Sequence, residues 1–312
     1  MRFTGVCAGY ASSRQLAKSA RPINPMLYER QSLPSYGPQR SSRHGTTYSE
    51  VIKPPAPQGI VPLGRTEQSA RPICHNLTMC GRYRLSRRKQ LVEEYFASRS
   101  GAEDWGPRYN IAPTQPVPVI RQHPQQPARE LSLVRWGLIP SWAKDASAAV
   151  RMINARSETA AAKPAFRDSL KSRRCLIPAD GFYEWSRTGK TKQPYCFEVN
   201  EGELFAFAGI WDRWHHPSGN TLETCSILTT NANPAASAIH DRMPVILDPA
   251  SYDLWLDPGM TDVGAASELL KPYDARLMRC YPVSTRVNCV ANDDDCCSAP
   301  VEVSQSQQRL FS

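Results

Sequence analysis

The sequence predicts an α+β protein with a curled, mainly antiparallel and partly barrel-like β-sheet and flanking helices. Three observations lead to this prediction. Short runs rich in β-branched and aromatic residues recur along the chain, turn signals such as Asp180-Gly181 separate them, and helical periodicity is confined to a few segments. The 312 residues are 41% hydrophobic, enough to fill a core.

The elements follow in order along the chain. A helix is predicted from Ser86, a residue type that caps helices, through about residue 98, with Leu91 and Tyr95 on one face. Strands are predicted at residues 117–121, 131–135, 174–177, 195–199, 204–210 and 224–230. Two later helices, at residues 249–256 and 264–270, precede a strand at 279–283.

Composition changes abruptly near residue 79. Residues 1–78 contain nine prolines, nine serines and the repeat SARPI at 19–23 and 69–73, which is typical of a segment without a fold. They hold 10 basic and 3 acidic residues, leaving 28 basic and 26 acidic residues for the remainder. We expect a disordered leader or an over-extended start at 1–78, one domain at 79–295 and a frayed tail at 296–312.

Several protein classes lack their signatures. The apolar run at residues 204–210 is far shorter than the roughly 20 residues of a membrane span, and no apolar segment follows Met1. Ten scattered cysteines without a CxxC pair favour reduced thiols, so we expect a cytoplasmic protein with no membrane association, metal or cofactor. The motifs GxGxxG, GxxxxGK[ST], HExxH and GxSxG are absent as well.

Functional groups concentrate in four segments: MCGRY at 79–83, INARSET at 153–159, ADGFYEW at 179–185 and IHDRMP at 239–244. With YNIAP at 109–113 and WGLIPSW at 136–142, they resemble, in order, the SOS response-associated peptidase (SRAP) family. The resemblance spans residue 79 to about 290. It implies a monomer that senses and shields abasic sites in single-stranded DNA through a covalent thiazolidine crosslink, in a nucleoid-associated location.

The resemblance assigns the crosslink to Cys80 after removal of Met79. A terminal cysteine carries an amine of pKa about 7.7–8.0 beside a thiol of about 8.5, so near pH 7 roughly a tenth of the amine is neutral. The amine forms a Schiff base with the sugar aldehyde, and the thiol closes a five-membered ring. An internal Cys80 has an amide nitrogen and cannot react in this way; from its residue type alone it would be a buried structural thiol.

The resemblance also implies three further catalytic residues, each with a simpler alternative. Glu184 would be the general acid/base, although alternation on its strand allows either a solvated carboxylate or an acid in an apolar pocket. His240 would assist Schiff-base formation, or merely hydrogen-bond locally. Asn154 would orient the cysteine and the sugar oxygen, or be a turn residue.

Seven residues are expected to contact DNA by the same resemblance, either by holding phosphates or, for the tryptophan, by stacking on bases. They are Arg82, Asn110, Trp142, Arg156, Lys163, Thr229 and Arg242. Trp136 and Trp142 could instead be core residues, and Pro164 disturbs the register at Lys163. Two other functions stay open: a cysteine-dependent, self-processing peptidase or lyase-like enzyme, and a non-covalent reader of damaged DNA.

Overall fold

A computed structural model describes residues 81–101, 104–122, 128–186, 192–216 and 218–302. Cys80 and the predicted leader lie outside the described residues. The strands are β1 Arg82–Leu85, β2 Ser98–Arg99, β3 Arg108–Ile111, β4 Pro116–Gln122, β5 Arg129–Trp136, β6 Asn154–Arg156, β7 Arg174–Ala179, β8 Gly181–Trp185, β9 Pro194–Val199, β10 Phe205–His215, β11 Thr221–Asn231, β12 Arg242–Pro244, β13 Ile246–Leu247 and β14 Met278–Pro282. The helices are α1 Lys89–Tyr95, α2 Ser157–Ala160, α3 Pro164–Ser172, α4 Pro234–Ser237, α5 Tyr252–Leu256 and α6 Val263–Ser267.

Five strands close into a barrel. Strands β11, β10, β7, β4 and β5 pair in that order, and β5 pairs back to β11 in parallel. Strands β6 and β12 both pair with β11. The polar segments at 153–159 and 239–244, which contain these two strands, therefore lie beside β11. The predicted α+β fold with a curled, mainly antiparallel and partly barrel-like sheet is therefore confirmed.

A second sheet, in the order β14-β9-β8-β1-β3, packs against the barrel. The chain passes from one sheet to the other at Asp180, between β7 and β8. Aromatic contacts join the two layers into one core: Tyr83 lies 5.4 Å from Trp136, and Phe182 lies 6.1 Å from Phe207, both edge-on. Burial of such rings is the main source of stability at this junction.

Asp180 fixes β1 against β8 from a fully buried position. Its carboxylate pairs with Arg84 at 2.7 Å and accepts hydrogen bonds from both the backbone N–H and the hydroxyl of Ser86 at 2.7 Å. Buried carboxylates need such partners because an unpaired charge is costly to desolvate. Ser86 was predicted to cap the first helix; its donors are used here instead, and the helix begins at Lys89.

The first helix also turns a different face to the core than its pattern suggested. Leu91 and Tyr95, the pair that predicted it, are about half exposed, whereas Val92 and Phe96 are fully buried. The ring of Phe96 packs 5.5 Å from that of Tyr252. The buried face of the helix is therefore the one with Val92 and Phe96, each one residue after the predicted pair.

The described part of the predicted frayed tail is packed. Cys297 is fully buried, and the backbone N–H of Val301 donates to the carbonyl of Pro282 at 3.0 Å. The boundary between domain and tail stays a prediction, and residues 303–312 lie outside the described part of the chain. Among the helices described, none has the length and apolarity to cross a membrane.

Candidate active site

The first part of the candidate site lies where β1 begins beside the end of β8. The two strands are antiparallel, with Arg82 opposite Tyr183. Continuing that register by one residue places Gly81 opposite Glu184. Cys80 directly precedes Gly81 in the sequence and lies outside the described residues.

Glu184 is buried, with 4% of its surface exposed. Alternation along β8 puts its side chain on the same face as Phe182, which stacks on Phe197 at 4.9 Å and meets Phe207 edge-on. Of the two environments that the sequence left open for this carboxyl group, the buried one is found.

Asn154 joins this region through the barrel. It begins β6, is 7% exposed, and pairs with Ile227 of β11 in parallel. The preceding carbonyl, of Ile153, accepts a hydrogen bond of 2.9 Å from the indole N–H of Trp136, whose ring contacts Tyr83 of β1. A fixed aromatic pair thus connects the start of β6 to β1, and Trp136 is a core residue.

His240 lies just before β12 and is 6% exposed. Its Nδ1 accepts a hydrogen bond of 2.9 Å from the backbone N–H of Arg242 and lies 3.1 Å from an oxygen of Asp241. With Nδ1 accepting, the neutral ring carries its proton on Nε2.

Arg242 is held within the protein. Its guanidinium makes a bidentate pair with Glu158, at 2.7 and 2.9 Å, and donates to Asn231 and to the carbonyl of Thr229. Hydrogen bonding from Arg242 holds the pKa of Glu158 below its ordinary value, so the pair is ionised at neutral pH. Arg242 is 8% exposed and Thr229 is fully buried, and their role as DNA contacts stays a prediction.

Arg82 and Asn110 also differ from the expectation. One terminal nitrogen of Arg82 donates to Asn110 at 2.9 Å and to the carbonyl of Val287 at 2.7 Å. Asn110 is fully buried, and its amide group is used entirely within the protein. Both residues therefore hold a distant segment against β1 and β3, and their role as DNA contacts stays a prediction.

Three of the seven predicted DNA contacts lie on the surface. Arg156 ends β6 and is exposed, at the position paired with Thr229 of β11. Trp142 is 63% exposed, and Lys163 is exposed directly before α3. An exposed tryptophan of this size is unusual in a soluble domain and offers a stacking surface.

Sequence reasoning missed four residues that shape this region. Glu158 pairs with Arg242, and the indole N–H of Trp185 donates to Asn288 at 2.7 Å. The carboxylate of Asp293 accepts from backbone N–H groups of β3. The signal for Asn288 was its place in a polar stretch near the end of the chain, whereas Asp293 fell in a segment that carried no recognisable pattern.

Within the described residues one group of potential metal ligands comes together, at Asp294, Asp295 and Cys296. These groups lie at the surface, and Asp294 pairs with Arg286. Clusters of surface carboxylates are common without any bound ion. The group therefore provides no argument for a metal centre, and it is separate from Glu184 and His240 in sequence and in strand pairing.

Comparison with known proteins places this arrangement in context. The model of the SOS response associated peptidase (SRAP) family matches residues 79–290. The abasic site processing protein YoqW of Bacillus subtilis is 45% identical over 218 residues, covering 69% of this chain and 96% of that protein. The abasic site processing protein HMCES of Gallus gallus is 37% identical over 227 residues, covering 63% and 67%.

Two solved structures share the fold. A crystal structure from Bacteroides thetaiotaomicron superposes with a TM-score of 0.64 at 28% identity and covers 72% of this chain and 100% of that one. A second, from Bordetella bronchiseptica, gives a TM-score of 0.58 at 30% identity, covering 66% and 100%. Both relatives fold without a counterpart of the remainder of this chain.

Proposed function

This chain belongs to the SOS response associated peptidase (SRAP) family, and on that premise we propose that it processes abasic sites in single-stranded DNA by forming a thiazolidine through Cys80. The active form would begin at Cys80, after removal of Met79. The observation that carries the proposal is the antiparallel register of β1 on β8, in which Arg82 pairs with Tyr183, the residue before the buried Glu184.

The proposed reaction uses the amine and the thiol of Cys80, the sugar aldehyde and one carboxyl group. The neutral α-amine of Cys80 adds to the aldehyde of the ring-opened sugar, and the resulting hydroxyl group leaves as water to give a Schiff base. The thiol then adds across the C=N bond, so that sulfur bonds to carbon and a proton ends on nitrogen. Glu184 would protonate the departing hydroxyl group, a role for which a buried carboxyl group is suited.

His240 and Asn154 would support the same step. The neutral His240 ring has its proton on Nε2, so that nitrogen is a donor suited to a sugar oxygen. The backbone of Asn154 is held in β6, next to Ile153, whose carbonyl accepts from Trp136, and its amide would orient the reacting groups. A hydrogen-bond donor that is already in position does not have to be reoriented during the reaction. This is the physical advantage of holding both residues in or directly beside strands that pair with β11.

The proposal is tested by an SDS-stable adduct with a single strand carrying one abasic site. We expect the adduct to form with the protein expressed from Met79 and to vanish when borohydride first reduces the aldehyde to an alcohol. If the protein binds the untreated and the borohydride-reduced abasic strands equally well and forms no covalent product, the result would support a non-covalent reader instead. Turnover of peptides without any adduct would support the peptidase.

A prediction about DNA affinity separates the exposed from the buried arginines. Arg156→Ala should reduce the slope of log affinity against log salt concentration by about 0.7, the single-strand value for one phosphate contact. Arg82→Ala should leave that slope unchanged, because its guanidinium is used within the protein. The measurement is a salt titration of binding to an intact strand; equal slopes for Arg156→Ala and the parent would remove Arg156 from the DNA contacts.

A further inference from the structure

A segment near the end of the chain, residues 283–298, crosses the strands that carry the candidate site; we refer to it as the strap. It follows β14 and has two 3-10 turns, Thr285–Asn288 and Asp295–Cys297. Its backbone and side chains bond to residues of β1, β3 and β8, which are more than 100 positions away in sequence. The strap therefore bonds to three neighbouring strands of the second sheet, from β8 across β1 to the edge strand β3.

Asp293 anchors the strap to β3. One oxygen of its carboxylate accepts from the backbone N–H groups of Tyr109 at 2.5 Å and Asn110 at 2.8 Å, and the other pairs with Arg108. Hydrogen bonds from N–H groups to an ionised carboxylate are stronger than neutral ones. No other side chain of the described strap binds two consecutive backbone N–H groups of this sheet.

Asn110 continues the connection from β3 to β1. Its amide nitrogen donates to three strap carbonyls, those of Val287, Cys289 and Asn292, at 3.1, 3.0 and 2.7 Å. Its amide oxygen accepts from Arg82 at 2.9 Å. A fully buried amide with all its bonds inside the protein has one geometry, so the positions of the strap and of Arg82 are set together.

The strap reaches residues next to both reacting groups. The carbonyl of Val287 accepts from Arg82 at 2.7 Å, and Arg82 is two residues from Cys80. The side-chain oxygen of Asn288 accepts from Trp185 at 2.7 Å, and Trp185 is next to Glu184. The strap thus contacts the neighbours of the proposed nucleophile and of the proposed acid.

We infer that Asp293 is a positioning residue that, through Asn110 and the strap, sets the positions of Arg82 and Trp185, the described neighbours of Cys80 and Glu184 in the sequence. The inference rests on the function proposed above. A displacement of about 1 Å between reacting groups can lower a rate by about 100-fold while substrate affinity is kept. Loosening the strap should therefore change the rate of adduct formation and leave DNA binding intact.

The test uses the protein expressed from Met79, a length at which relatives fold. Asp293→Ala should lower the adduct rate at saturating abasic DNA by about 10-fold to 100-fold. Its affinity for a strand with a non-reactive tetrahydrofuran analogue should stay within about twofold of the parent, because no strap contact involves the exposed DNA-facing residues. Asp293→Asn, which keeps an oxygen for the two N–H groups, should recover most of the rate. Asp294→Ala is the matched control, since its carboxylate pairs with Arg286 at the surface, and should match the parent.

A second readout does not depend on the chemistry. The indole N–H resonance of Trp185 should shift in Asp293→Ala and stay in place in Asp294→Ala, because the bond to Asn288 reports whether the strap is docked. If thermal unfolding shows that Asp293→Ala does not fold, Asp293→Glu replaces it and should show the same loss of rate. A folded Asp293→Ala or Asp293→Glu protein with the parental rate, or with an unshifted indole resonance, overturns the inference. Absence of an adduct with the parent would instead refute the proposed function.

Discussion

Protein that retains its residues from Met1 is expected to form no SDS-stable adduct with an abasic single strand, whereas protein expressed from Met79 forms it. The reason is chemical: in the longer chain the nitrogen of Cys80 is an amide, which cannot condense with an aldehyde. Met79 directly precedes Cys80, and a methionine before a small residue is the arrangement that a methionine aminopeptidase cleaves. The measurement pairs adduct yield with the intact mass of each protein.

A one-residue insertion provides the matched control. Glycine placed between Met79 and Cys80 leaves a free terminal amine and an unchanged thiol, but they no longer belong to one residue. A Schiff base could still form, yet the five-membered ring could not close. We expect no stable adduct from this variant. Equal adduct rates for the intact Met1 protein and the Met79 protein would contradict the α-amine mechanism, and N-terminal mass mapping from the native cells shows which form exists.

The strands that the sequence predicted include all five of the barrel, together with β9 and β14 of the second sheet. The runs at residues 174–177, 204–210 and 224–230 correspond to β7, β10 and β11, whose side chains are almost all buried. Such strands can be predicted from the sequence because both of their faces are buried, which produces a continuous run of apolar residues. The closure of β5 onto β11 could not be predicted, because pairing between distant strands leaves no local pattern.

The short strands that carry the candidate site were missed for the opposite reason. Strands β1, β6 and β12 read RYRL, NAR and RMP, with too many polar residues for any strand pattern. The arginines of these strands hydrogen-bond to partners that are distant in the sequence. Arg242 donates to Glu158, 84 positions away, and Arg82 donates to the carbonyl of Val287, 205 positions away. Motif resemblance located the segments, but only the fold separates the arginines that are used internally from Arg156.

Glu184→Gln is expected to slow adduct formation or its reversal by about 100-fold or more, within the range that general acid–base catalysis contributes. Glutamine keeps the size and one oxygen of the side chain but cannot transfer a proton. Binding to an intact strand should persist, because the buried carboxyl group has no exposed surface for phosphate. Single-turnover kinetics at saturating DNA measure the effect; an unchanged rate would remove Glu184 from the mechanism.

Glu198→Gln is the control that separates catalysis from stability. Glu198 is a buried carboxyl group on β9, the strand beside β8, and it accepts from Arg84 and Tyr281 at 2.7 Å. Burial works to raise its pKa, but the hydrogen bonds from Tyr281 and Arg84 lower it overall, so Glu198 is ionised at neutral pH. Its substitution should cost about 3 kcal/mol of unfolding free energy, the scale for breaking a buried pair, and leave the adduct rate of the folded protein unchanged.

The two glutamates should also differ in their response to acid. Because the folded pKa of Glu198 is depressed, the stability that it contributes is fully present above its unfolded value of 4.5 and is lost as the pH falls through the lower folded value. The gap in unfolding free energy between Glu198→Gln and the parent should therefore narrow in acid. Glu184→Gln should instead show its loss of rate at neutral pH with little loss of stability, since its carboxyl group is proposed to exchange a proton with the substrate. A parallel loss of stability and rate in both variants would mean that Glu184 is structural.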